Sequence, residues 1–184
     1  MASKRINTKD LIDTASNLFR IHGYYNTSVS TIAKQCGLSK ASMYHHISSK
    51  DALLLSCVKI KYLYFKTHFF DPVYQESIPK QDRFKRLVLD IQHFYLQQEN
   101  TSLMSSLALE LKEPHDELKQ LIQSFFSQWI DTFTYLLQEK YPENAAKKLA
   151  QNAVSLFQGA IVMAAAYKND YTLEQVGDRI LAMW

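Results

Sequence analysis

IDTASNLFRIHGYYNTSVSTIAKQCGLSKASMYHHISSKDALL, residues 12–54, decides the fold, because its apolar spacing and its two glycines divide it into short helices. Leu11, Ala15, Leu18, Phe19 and His22 fall on one stripe at helical spacing and predict a helix over 8–22. Gly23 is a natural left-handed stop. Thr27 or Ser28 supplies the oxygen that starts a second helix, which carries Val29, Ile32, Ala33 and Cys36 and ends at Gly37. Leu38 bridges to Ser39, the expected cap of a third helix over 40–46, and Ser48 or Ser49 caps a fourth from Lys50 to near Phe70. Helix, tight glycine turn and short helix make a helix-turn-helix.

A helix that reads DNA presents short polar and cationic side chains at its N-terminal end, where they enter the major groove. Lys40, Ser42 and Tyr44 stand there behind Ser39, and Ala41 offers a methyl for contact with thymine. The charge agrees. Residues 1–66 hold ten Lys and Arg against three Asp and Glu, whereas 67–184 hold eleven against fifteen, so a basic head precedes an acidic body.

The quoted stretch resembles the DNA-binding domain of the tetracycline-repressor (TetR) family. The matching residues are Ala15, Leu18, Phe19, Gly23, Tyr24, Thr27, Ile32, Ala33, Gly37, Leu38, Ser39, Lys40, Ser42, Tyr44, His46, Lys50 and Leu53, with no gap. Ile47 stands where that family usually has Phe, and Ala41 where Gly or Pro is frequent. By this resemblance Ser28, Tyr44, His46 and Lys50 grip the DNA backbone, as hydroxyl, imidazole and ammonium groups suit. His45 faces bases or solvent. The competing reading has Tyr44 and His46 merely packing a small domain.

Beyond residue 66 the chain is helical and sparsely punctuated, with four Gly and four Pro in 184 residues. Helices are expected near 81–99, 102–112, 114–141, 143–168 and 172–184, with Pro114 and Pro142 in first turns. The expected fold is all-α: a helix-turn-helix DNA-binding domain over 1–50 and a helical bundle for ligand binding and dimerisation over 51–184. No leader of the charged-then-apolar kind opens the sequence. The longest nearly apolar stretch, Val154 to Tyr167, is short for a bilayer and reads as a buried helix. Cytoplasm is the expected compartment, with no membrane partner.

Catalytic and metal motifs are absent or hollow. Ser56–Lys59 spells S-x-x-K inside a helix, without companion motifs. The six histidines lack H-x3-H spacing, and no glycine-rich phosphate loop occurs, so neither metal nor cofactor is expected. Asn26 and Asn100 sit in glycosylation strings that mean nothing without secretion. Cys57 is either an electrophile sensor or, more simply, a small buried residue, and Cys36 lies on an inward face.

The resemblance also implies a small-molecule inducer in the body and a homodimer on double-stranded DNA. Tyr62, Phe65, Phe94, Leu107, Phe126, Trp129 and Phe157 are the candidate pocket lining, although ordinary core packing explains aromatics equally well. With Lys112, Lys119, Lys147 and Lys148 in polar stretches, few interior cations are evident, so an apolar or aromatic ligand, neutral or cationic, is expected. For the dimer interface the candidates are Gly159, Ala160 and Met163 on one helix, where Gly159, Ala160, Ala164 and Ala165 are small enough to let helices approach, and Leu173, Val176 and Ile180 on the last, with Gly177 beside them. Repression rests on the resemblance alone. The alternatives are a helical protein-interaction module, whose basic head meets an acidic partner, and an enzyme.

Overall fold

Each helix of the head begins on a side-chain oxygen. Asn7 Oδ1 accepts the Asp10 N–H at 2.7 Å, and Ser28 Oγ accepts the Thr31 N–H, Ser39 Oγ the Ser42 N–H and Ser49 Oγ the Ala52 N–H, each at 3.0 Å. Ser28 therefore takes the cap for which Thr27 competed. Thr27 is buried instead and donates its hydroxyl to the Gly23 carbonyl at 2.7 Å. Each such cap contributes about 1 kcal/mol to helix stability.

The computed structural model describes residues 6–97, 102–113 and 115–184. Its α-helices are α1 (Thr8–His22), α2 (Val29–Gln35), α3 (Lys40–Met43), α4 (Lys50–Phe65), α5 (Lys80–Gln97), α6 (Leu103–Glu110), α7 (Asp116–Leu137), α8 (Glu143–Tyr167) and α9 (Tyr171–Leu181). No strand occurs among the described residues. The fold is all-α, as expected. The end of the segment expected at 98–99, Asn100 and Pro114 lie outside the described residues.

Several boundaries moved. The third helix stops at Met43, and Tyr44 to His46 form a turn. The fourth leaves α geometry at Lys66, runs through a π-helical turn (Lys66–Phe70) and closes on a 3-10 turn (Asp71–Tyr74). Pro72 is the cause: it has no N–H and its ring crowds the carbonyl four residues earlier, so the ladder widens and the Asp71 N–H reaches the Lys66 carbonyl. Gly23 ends α1 at φ +81°, ψ 165°, an extended conformation on the glycine side rather than the left-handed helical one expected.

The chain divides into two compact units. The first is Met1–Tyr62 with Leu103–Ile122, and the second is Leu63–Ser102 with Gln123–Trp184. The boundary expected at residue 50 thus falls inside a unit. Helices as short as α2 and α3 cannot enclose a core alone, and α4 completes it with buried Leu53, Leu54, Cys57 and Val58. In the second unit α9 packs on α5 and α8. Gln92 of α5 donates to the carbonyls of Leu173 (2.8 Å) and Glu174 (2.6 Å), and a Cβ at Gly177 would meet the Gln92 side chain at 2.5 Å. Gly177 therefore allows α9 to approach Gln92 of α5 closely.

Gly23 combines a glycine-only backbone with a crowded Cα. A Cβ there would lie 2.9 Å from the Glu110 carboxylate. Gly23→Ala is expected to destabilise the protein by about 1–3 kcal/mol in urea unfolding, from backbone strain alone. An unchanged midpoint would contradict this.

Candidate functional site

The head presents its polar residues on a buried anchor. Met43 is wholly buried, while its neighbours Lys40, Ala41, Tyr44, His45 and His46 are exposed and Ser42 is half-buried. The Ser39 and Ser42 hydroxyls are hydrogen-bonded at 2.8 Å, as are those of Ser28 and Thr31 at the start of α2. Structure thus gathers Ser39 to His46 on one helix and its following turn, and places Ser28 at the first turn of α2. Packing does not account for Tyr44, which is 51% exposed. Thr31 was missed by sequence reasoning; its exposed hydroxyl sits beside Ser28 one helical turn along, and the capping spacing was the available signal.

Lys50 is half-buried, not freely solvated. Its ammonium lies 4.0 Å from the centre of the Tyr24 ring, a cation–π contact. Partial burial lowers its pKa from the usual lysine value, and the charges of Asp51 and Glu110 act in the opposite direction. The Tyr24 hydroxyl is hydrogen-bonded to Asp51, whose other oxygen faces His115 at 3.4 Å. Burial, reinforced by that hydrogen bond, pushes the Tyr24 phenol well above its ordinary range, while the same bond holds Asp51 below the usual carboxylate range.

One carboxylate ties this group to α6. Glu110 accepts the backbone N–H of Tyr24 at 2.8 Å and of Tyr25 at 2.7 Å. These are charge-assisted hydrogen bonds to the loop that joins α1 to α2. Nothing in the local sequence around Glu110 marks it, since its partners lie 86 and 85 residues away.

The second unit holds an aromatic core. Phe65 is at its centre, 5.0 Å from Phe94, 5.1 Å from Phe125 and 6.1 Å from Trp129 between ring centroids, and Phe157 lies 5.8 Å from Trp129. Of the candidate lining, Phe65, Phe94, Trp129 and Phe157 therefore come together. Phe126 joins through Phe125 at 5.2 Å and is half-buried. Tyr62 and Leu107 belong to the first unit. The Trp129 indole N–H is fully buried and has no hydrogen-bond partner among the described residues. Beside it Tyr95, stacked at 6.4 Å, is buried, and burial pushes its phenol far above the ordinary value. Arg83 is an interior cation that the sequence does not mark: it is 7% exposed, and a charged residue in the first turn of an amphipathic helix looks solvated in sequence.

Residues 11–57 match the family model of bacterial regulatory proteins of the tetR family, and residues 84–179, over half the chain, match the C-terminal domain of LmrA/YxaF-like transcriptional regulators. The chain belongs to the TetR family. It is a DNA-binding transcriptional regulator of the helix-turn-helix type. The fatty acid metabolism regulator protein of Bacillus subtilis (strain 168) is 27% identical over 139 residues, 76% of this chain and 70% of that protein. A TetR transcriptional regulator from Legionella pneumophila superposes with a TM-score of 0.84 at 22% identity, over 96% of this chain and 97% of that one. The regulator FadR from Bacillus subtilis in complex with stearoyl-CoA has a TM-score of 0.69 at 18% identity, over 96% and 97%.

In this TetR-family chain α8 has two apolar faces. Ala150, Ala153, Phe157, Ala160 and Ala164 are buried in their own unit, whereas Val162 (54%) and Met163 (42%) are exposed and Gly159 is open. At 25 residues α8 is long and apolar enough to cross a membrane by length and composition, longer than the stretch read from sequence, but its inner face is core. Leu173, Val176 and Ile180, expected at a dimer interface, are buried against their own chain. Gly159, Ala160, Met163 and Val176 do line an open groove of about 570 Å³ between α8 and α9. Cys57 is wholly buried, its thiol facing the Ile12 carbonyl at 3.6 Å, and burial pushes it up to about 11, which keeps it protonated and unreactive at neutral pH.

Removing the Glu110 carboxylate leaves the part-buried Tyr24 N–H and the exposed Tyr25 N–H without their charged acceptor. Glu110→Ala is expected to cost roughly 1–3 kcal/mol and to speed amide exchange at Tyr24 and Tyr25 selectively. Unchanged exchange at those two amides would contradict the clamp.

Proposed function

We propose that the protein is a ligand-responsive repressor that binds a two-fold operator as a homodimer. The observation that carries this reading is the recognition helix and the turn after it, where exposed Lys40, Ala41 and Tyr44 surround a fully buried Met43. A rigid base with a polar, cationic rim is what groove reading requires. Lys40, Ala41, Ser42 and His45 meet base edges; Ser28, Ser39, Tyr44, His46 and Lys50 hold the phosphate backbone. The two heads occupy successive major grooves about 34 Å apart.

The inducer is an apolar or aromatic molecule that takes its place among Phe65, Phe94, Phe126, Trp129 and Phe157. The unpartnered Trp129 N–H is a donor for an oxygen of that ligand. The long acyl chain of the stearoyl-CoA bound to a fold neighbour accords with an apolar ligand. Binding favours a form whose heads are wrongly spaced, which weakens DNA binding by linkage, with α4 as the lever. The role is regulatory rather than enzymatic, and its setting is the cytoplasm, away from membranes.

The DNA reading is tested by titrating operator and random duplexes at several salt concentrations. Lys50→Ala is expected to weaken both duplexes alike and to reduce the salt slope by about 1. Lys40→Ala is expected to cost about 1–3 kcal/mol on the operator and to relax base preference. Equal losses with equal slopes would sink this division. No preference for operator over random DNA would favour an acidic protein partner instead.

The dimer is tested on the exposed face of α8. Met163→Glu places a charge in an apolar contact and is expected to give monomer in sedimentation, with helicity unchanged. A dimer of unaltered affinity would move the interface elsewhere. Deleting 172–184 is a poorer test, because it strips α9 from α5 and α8 of the same chain.

A further inference from the structure

Arg83 is a buried cation without a counter-ion among the described residues. Its Nη1 donates to the Val73 carbonyl at 2.5 Å, and its Cζ lies 6.0 Å from the centre of the Tyr135 ring. Its Nε is buried and unbonded, and it forms no ion pair among the described residues. Removing a guanidinium from water with one neutral carbonyl as recompense is unfavourable. A single bond to Val73 would be met by a neutral side-chain donor and does not call for a fork of five N–H groups.

The same residue lines a small cavity at the start of α5. Its polar lining continues outward through Arg86 and His68, both exposed, and its apolar wall includes Phe69. The one carboxylate on the wall, Asp90, is 3.4 Å from Arg86 and leaves Arg83 unanswered. The volume is about 20 Å³, room for one water-sized group.

We propose that this cavity is a binding site for the carboxylate of a small organic acid. One carboxylate oxygen fills the space and accepts from Arg83, neutralising the buried charge; Arg86 and His68 face the anion from the rim, and the hydrocarbon part of the acid rests on Phe69. A tetrahedral phosphate brings a larger head and more charge than the space and donors serve. The proposal goes beyond the repressor reading and does not depend on it, because its test involves no DNA.

The test is thermal unfolding and calorimetric titration of the full chain with sodium octanoate, 1-octanol and inorganic phosphate at fixed ionic strength. Octanoate is expected to bind and raise the midpoint, with octanol and phosphate well behind. Arg83→Gln, which retains a donor for Val73, is expected to weaken octanoate binding by about tenfold or more, the loss of a charge-assisted bond. Arg86→Gln is expected to weaken it less. Equal stabilisation by octanoate and octanol, or a full octanoate response in Arg83→Gln, overturns the site. Arg83-dependent binding of phosphate tighter than that of octanoate overturns the carboxylate assignment. If Arg83→Gln does not fold, the exposed Arg86→Gln decides: an octanoate affinity equal to that of the unaltered chain then refutes the proposal.

Discussion

The carboxylate of Glu110 accepts two successive backbone N–H groups, those of Tyr24 and Tyr25, and much of the first unit depends on that contact. It fixes the loop between α1 and α2, whose N–H groups would otherwise lack acceptors. It also explains why Gly23 must lack a side chain: the oxygens lie where a Cβ would go. Tyr24, held by its backbone, then offers its ring to Lys50 and its hydroxyl to Asp51, the first two residues of α4. Four helices are thus referred to one acidic side chain, and residues 103–122 join the head in one unit.

The head and the second unit use opposite means of rigidity. Around α3 the means are local: a serine cap, a paired serine and one buried methionine hold a helix of four residues that could not stand alone. In the second unit the means are collective. Rings of Phe65, Phe125, Trp129 and Phe157 pack at 5–6 Å, where edge and tilted geometries add to simple area burial. The local device leaves its polar residues facing outward, as DNA reading requires. The collective device surrounds one unmet donor, the Trp129 N–H, and so creates a polar point inside apolar walls.

α8 shows how one helix serves two purposes. Its inner stripe of alanines and Phe157 is core, and its outer stripe of Gly159, Val162 and Met163 is left open. A single inward face does not need apolar residues all round, and the excess is the reason to seek a second copy there.

What the sequence determined by itself was everything governed by short-range rules. Cap residues, helical periods and the two glycines place the head's helices, and Ser28 and Ser39 act within three residues, so no distant information is needed. The same rules identify the exposed rim of α3 and the family to which the chain belongs. The tertiary structure alone decided the rest, because the controlling contacts join residues far apart along the chain. It turned Leu173 and Ile180 inward through α5, drew Lys50 over Tyr24, brought Glu110 to a loop 85 residues away, and buried Arg83 where its helix looked solvated. Periodicity says which face of a helix is apolar. Only packing says what covers that face, and whether a charge beside it is left in water or enclosed.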